Sequence, residues 1–117
     1  MRMLIVAFCA ILAGCSVAAD DISKPPVYAP PSPPSPAAQT KGLGKAIEVE
    51  KLTGAVQVSD LRPADNGLGH YVICIAGHRA VGGVGYFAVF FDNEDYRDVR
   101  PAIMYDFCEK QTYRPLS

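Results

Sequence analysis

Hydrophobic and polar residues fall along this chain in three textures. Leu4-Ile5-Val6-Ala7-Phe8-Cys9-Ala10-Ile11-Leu12 is one unbroken apolar run, whereas Ser16 to about Thr40 carries almost no periodic apolar pattern. From Ala46 onward, β-branched and aromatic runs are separated by turn residues. Strands are therefore expected near Ala46–Leu52, Ala55–Leu61, Tyr71–Ala76, Tyr86–Phe91 and Ala102–Phe107. In the first of these Ile47 and Val49 alternate with Glu48 and Glu50, but Gly42-Leu43-Gly44 and the Glu/Lys content also permit a short helix.

Turn residues set the connections. Asp65-Asn66-Gly67 and Gly82-Gly83-Val84-Gly85 tolerate positive φ, and Asp92-Asn93-Glu94-Asp95 closes the fourth strand with polar side chains. With no crossover helix between strands, the pattern predicts a mainly β fold: a small antiparallel meander sheet or half-open barrel.

The apolar run near the start is too short for a bilayer-spanning helix, which needs about 20 residues, and with Arg2 before it suits a signal-peptide core. It ends in Leu12-Ala13-Gly14-Cys15, which resembles the lipobox of bacterial lipoproteins. That resemblance implies signal-peptidase recognition of Leu12, Ala13 and Gly14, cleavage after residue 14 and a lipidated Cys15 held in the bilayer. Several acyl chains anchor far more firmly than one. Ser16 resembles the outer-membrane sorting class, placing the protein in the cell envelope and facing the periplasm. The rival is Val17-Ala18-Ala19 before Asp20, a site for ordinary signal peptidase that would release a soluble periplasmic protein.

Residues 15–40 read as a proline-rich tether. Seven of the twelve residues from Pro25 to Pro36 are proline, which fixes φ and removes the amide donor, so a solvated polyproline II spacer of about 37 Å is expected. Its Pro-x-x-Pro spacings follow from composition and require no partner. The remaining 41–117 would be one small β-rich domain.

Composition narrows function mainly by exclusion. The 117 residues carry a formal charge of −1, and loss of residues 1–14 with Arg2 makes it −2, without the clustered Lys and Arg that nucleic acid requires. Cys9 would leave with the signal and Cys15 would take lipid. Cys74 and Cys108 then remain as a disulfide pair in an oxidising compartment, worth about 3.8 kcal/mol in the chain-entropy view.

Candidate chemical groups are few. His70, Cys74 and His78 share a spacing of four, but on a strand the two histidines would stand about 26 Å apart, too far to share a metal ion. The glycines of 82–85 lack the Lys-Ser/Thr ending of a phosphate loop. Asp92, Glu94, Asp95 and Asp98 lack the order of an EF-hand and, with Arg97 and Arg100 interleaved, suggest a solvated turn. Asp106 lies beside Tyr105 and Phe107 and, if buried, needs a partner. Ser59 and two histidines offer little for nucleophilic catalysis. No catalytic residue, metal or cofactor is expected.

Tyr71-Val72-Ile73-Cys74, Tyr86-Phe87-Ala88-Val89-Phe90-Phe91, Asp106-Phe107-Cys108-Glu109 and Tyr113-Arg114-Pro115-Leu116 together resemble small alphaproteobacterial lipoproteins of rhizobial type, over about 45 residues. The resemblance implies an envelope location and carries no activity with it. The leading expectation is a non-enzymatic interaction or assembly module that meets an envelope protein or wall component through an edge strand and through Tyr86, Tyr96 and Tyr113. Alternatives are an inhibitor of a wall hydrolase, resembling small disulfide-bearing lysozyme inhibitors but without their motif, and a small-ligand binding protein.

Overall fold

A computed structural model describes residues 31–116 except Asn66. Leu12, Ala13, Gly14 and Cys15 lie outside the described residues, as do residues 25–30 of the proline-rich stretch. Among the described residues, no helix is long and apolar enough to cross a membrane.

The domain opens with a helix, α1, from Pro36 to Glu50. Ser35 caps it by accepting the Ala38 amide at 3.2 Å on its hydroxyl oxygen. Pro36 follows where a missing amide costs nothing. Gly42, Leu43 and Ala46 are buried along one stripe with Ile47 partly buried beside them, and Lys51 ends the helix in the left-handed region at φ 54°. Of the two readings the sequence left open here, the helix is what forms and the strand over Ala46–Leu52 is not: the decisive spacing is 43, 46, 47, which is helical, while Val49 faces solvent. The folded part also reaches further toward the N-terminus than residue 41. Ser32 and Ser35 bond to Asn93 and Glu94, and Tyr71 donates to the Pro31 carbonyl.

Six strands form one open antiparallel sheet. They are β1 (Leu52–Val58), β2 (Arg62–Pro63), β3 (Tyr71–Arg79), β4 (Gly83–Asp92), β5 (Asp95–Pro101) and β6 (Arg114–Pro115). Their order is β5-β4-β3-β1-β6, and β2 lies beside β3. The expected mainly β, antiparallel class is what the chain forms, as an open sheet and not a closed barrel. β3 and β4 pair continuously from Tyr71↔Phe91 to Arg79↔Gly83, so Gly83–Gly85 open a strand and only Ala80–Gly82 make the turn. At the other end Asn93 takes φ 52° in a two-residue hairpin turn.

The fifth strand is not Ala102–Phe107. It is Asp95–Pro101, whose charges led to its reading as a turn; as an edge strand it buries Val99 and partly Tyr96 toward the core, and its charges shield the open edge. Residues 102–107 instead form a loop containing a 3-10 turn over Met104–Asp106, followed by another over Cys108–Lys110.

The two faces of the sheet are covered differently. Under α1, Leu43, Ala46, Val56, Ile73, Ile75, Phe87, Val89, Phe91 and Val99 belong to the main core. The helix sits close because of Gly42, where a Cβ would overlap the Phe91 ring. The opposite face carries a smaller buried apolar set, Val72, Cys74, Ala88 and Phe90, and among the described residues no α-helix covers it. Cys108 closes onto that set through a disulfide to Cys74, with the Cα atoms 5.5 Å apart. The expected disulfide therefore pins the C-terminal segment over the second face.

Candidate functional site

The site grows out of strand register on the second face. Cys74 pairs with Ala88, which pairs with Arg100, so these three point to the same side of the sheet. Arg62 pairs with Val72 on that side too. Two arginines thus approach the disulfide from opposite edges. The kink between β1 and β2 helps set Arg62: Ser59, buried, accepts the Cys74 amide on its hydroxyl oxygen at 2.8 Å and donates its own amide to the Cys74 carbonyl at 2.8 Å. Its hydroxyl also donates to the Asp60 carbonyl, so Ser59 braces the backbone here.

The loop from Ala102 to Cys108 crosses between the arginines. Asp106 holds it. Its carboxylate is buried, accepts from Arg100 Nη2 at 2.8 Å on Oδ1 and accepts the Ile103 amide at 2.9 Å on Oδ2. Its carbonyl accepts from Arg62 Nη2 at 2.7 Å. A carboxylate enclosed in this way is structural, and it supplies the partner that burial of Asp106 demanded. The Arg100 guanidinium also stacks over Phe90, 5.1 Å from the ring centroid. Phe107 bends the chain at φ 53°, and Cys108 is then clamped by its disulfide. Tyr113 adds a further tie by donating to the Cys108 carbonyl at 2.6 Å; burial pushes its hydroxyl up to about 12, so it stays a donor through the neutral range.

With its polar groups turned inward, the loop turns its apolar groups out. Met104 is 83% exposed, Tyr105 77%, Ile103 48% and Phe107 47%. Large apolar side chains scattered singly over a surface mean little, but four within five residues of one braced loop form a patch. A groove runs along each flank. One, of about 520 Å³, is bordered by Tyr86, Met104, Phe107, Cys108 and Lys110. The other, of about 570 Å³, is bordered by Arg62, Asp65, Arg100 and Tyr105.

The other residues singled out from the sequence are dispersed. His70 precedes β3 and its Nδ1 lies 2.7 Å from Asp92 Oδ1, while His78 stands toward the far end of the strand, opposite Thr53. Desolvation opposes ionisation of Asp92, but the hydrogen bonds from the His70 ring and amide outweigh it and hold the carboxyl below its usual range. Glu94 accepts from Ser35, and Asp98 accepts the Val99 amide, so the acidic stretch is engaged locally. Among the described residues, no group of three or more His, Cys, Asp or Glu is arranged to hold a metal ion.

Of the three tyrosines expected to form a contact surface, only Tyr86 is exposed. Tyr96 packs edge-on against Phe91, and Tyr113 packs against Tyr86. What the sequence reading missed is the loop itself, because Ala102–Phe107 was assigned to a strand, and both arginines. The available signal was Ile103-Met104-Tyr105, an apolar run without the alternation of a half-buried strand. Compared with known proteins, the chain matches no protein family, no curated protein and no solved structure.

Proposed function

We propose that this chain is an envelope lipoprotein, anchored through Cys15, whose domain is a non-enzymatic interaction module that meets a partner protein through the loop Ile103–Phe107. The observation that carries the contact surface is the exposure of Ile103, Met104, Tyr105 and Phe107 on a loop held by two arginines, a buried carboxylate and a disulfide. Rigid presentation matters because a preorganised surface loses little entropy on binding. Aromatic and Met side chains are also those enriched where proteins meet.

The anchor reading rests on Leu12-Ala13-Gly14-Cys15 and on the resemblance to alphaproteobacterial lipoproteins. A lipid at Cys15 and a proline-rich connection would keep the domain near the bilayer and raise its effective concentration toward a membrane-associated partner.

Site-specific photo-crosslinking in cells tests the contact. A crosslinker at Tyr105 captures a defined protein, whereas one at Val81, 87% exposed on the β3–β4 turn, does not. Equal capture from both positions overturns the assignment of the surface. The anchor is tested separately by Cys15→Ser, which abolishes lipid labelling and membrane association; survival of both refutes lipidation at Cys15.

A further inference from the structure

The disulfide under the loop has an asymmetric environment. Arg62 Nη2 lies 3.3 Å from Cys74 Sγ, so a guanidinium donates to one sulfur of the pair. Cys108, the other half-cystine, is the one that borders the groove beside Tyr86, Met104 and Phe107. Cys74 is fully enclosed. A cation beside a sulfur favours its thiolate, and a thiol stabilised as thiolate is the better leaving group in exchange. The groove borders the half-cystine Cys108 while the charge waits at the sulfur of the other.

We propose that Cys74–Cys108 is an exchange site for a dithiol reductant, with Cys108 attacked and Cys74 released as a thiolate paired with Arg62. A thiolate of the dithiol bonds to Cys108 Sγ, the Cys74–Cys108 bond breaks, and its electron pair passes to Cys74 Sγ. The second thiol, deprotonated, then attacks the mixed disulfide and releases Cys108, which takes up a proton. The reductant departs as a disulfide, having supplied two electrons. Cys108 is only 2% exposed, so attack requires the single 3-10 turn Cys108–Lys110 to lift. That turn is short, its Glu109 and Lys110 are exposed, and it lies outside the main core beneath α1.

The charged and titratable groups around Cys74 are consistent with this polarity. Asp106 is paired with Arg100, Tyr113 keeps its proton to about 12, and Glu109 and Lys110 lie on the Cys108 side. The loop 103–107 would then be stapled in the oxidised protein and held in the reduced one by hydrogen bonds, those of Arg62 and Arg100 and the tie from Tyr113 to the Cys108 carbonyl. That consequence, regulation of the contact surface, rests on the reading given under the proposed function; the exchange itself does not.

The test uses the oxidised full-length chain in detergent. Brief exposure to glutathione, acid quenching and peptide mass analysis should locate the mixed disulfide on Cys108; glutathione on Cys74 overturns the polarity. Equilibration with dithiothreitol then gives the reduction potential of the wild type and of Arg62→Met. Loss of the thiolate partner should shift the exchange equilibrium toward the disulfide by about tenfold above the thiol titration range, which is about 30 mV for a two-electron couple. Arg62→Lys should restore part of that shift, and the gap from Arg62→Met should narrow as pH falls below the thiol range.

A purely structural disulfide predicts the opposite sign. If reduction unfolds the domain, Arg62 stabilises only the oxidised state and Arg62→Met becomes easier to reduce. An unchanged potential, or reduction no faster than global unfolding, equally overturns the proposal. Crosslinking from Tyr105 in oxidised and reduced protein distinguishes the two readings, since failure of exchange with capture intact leaves the contact surface standing.

Discussion

Asp106 Oδ1 lies 2.8 Å from Arg100 Nη2, with the carboxylate wholly buried and the arginine side chain 27% exposed. This pair fixes the middle of a loop whose neighbouring side chains face solvent. Asp106→Ala removes the acceptor for Arg100 and for the Ile103 amide together. Loss of one member of such a pair should cost about 2–4 kcal/mol, with the exposure of Arg100 tempering the upper figure. Chemical denaturation checks it, and a loss below about 0.5 kcal/mol, the level of an ordinary surface change, would show that the pair does not hold the loop.

Tyr105→Ser should behave in the opposite way. The ring is 77% exposed, so stability should remain within about 0.5 kcal/mol of wild type while partner capture falls sharply. Parallel melting and crosslinking measurements separate the two effects.

Two glycines on α1 make a paired prediction. At Gly42 a Cβ meets the Phe91 ring, so Gly42→Ala should destabilise by about 1–3 kcal/mol through overpacking. At Gly44 nothing lies within 4 Å, and Gly44→Ala should stabilise the helix by about 0.5–1 kcal/mol. If both substitutions stabilise, helix propensity and not packing governs Gly42.

Two titrations should mark the ends of the pH range. The Asp92 carboxyl is held below its usual value, so its contribution is present above the unfolded value near 3.8 and is lost as pH falls through the folded one; Asp92→Asn should remove that acid-side component. Tyr113 is shifted the other way, from 10.0 to about 12, so its contribution is complete below 10 and disappears as pH rises toward 12. Tyr113→Phe should flatten stability across that alkaline window. A profile for Tyr113→Phe that still follows the wild type between 10 and 12 would mean another group is responsible.

Removing the staple by Cys74→Ser with Cys108→Ser should cost about 3–4 kcal/mol, because a closure spanning 34 residues restricts the unfolded chain. The circular dichroism of the sheet should persist at 25 °C, since the main core under α1 contains neither cysteine. Loss of that signal would show that the two faces fold as one inseparable unit.

The central sheet was legible because Tyr71–Ala76 and Tyr86–Phe91 are apolar and β-branched or aromatic on both faces, a composition that leaves a buried strand as the natural reading. The pairing of Cys74 with Cys108 was legible once the lipobox reading had assigned Cys9 and Cys15 elsewhere. Asp106 stood out because a carboxylate among Tyr and Phe needs a reason. At the edges the pattern misled: β5 carries charges that resemble a turn, and Ile47 with Val49 mimics strand alternation inside a helix.

The sequence alone determined the interior strands and the antiparallel class, since these follow from local apolar patterning, and it made a partner for Asp106 necessary only in the event of burial. Only the tertiary structure decided where α1 begins, that the apolar residues of 103–107 face outward, and that Arg62 and Arg100 meet at one loop. The reason is separation: Arg62 is 44 residues from Asp106, and strand register, which no local pattern contains, brings them within hydrogen-bond distance.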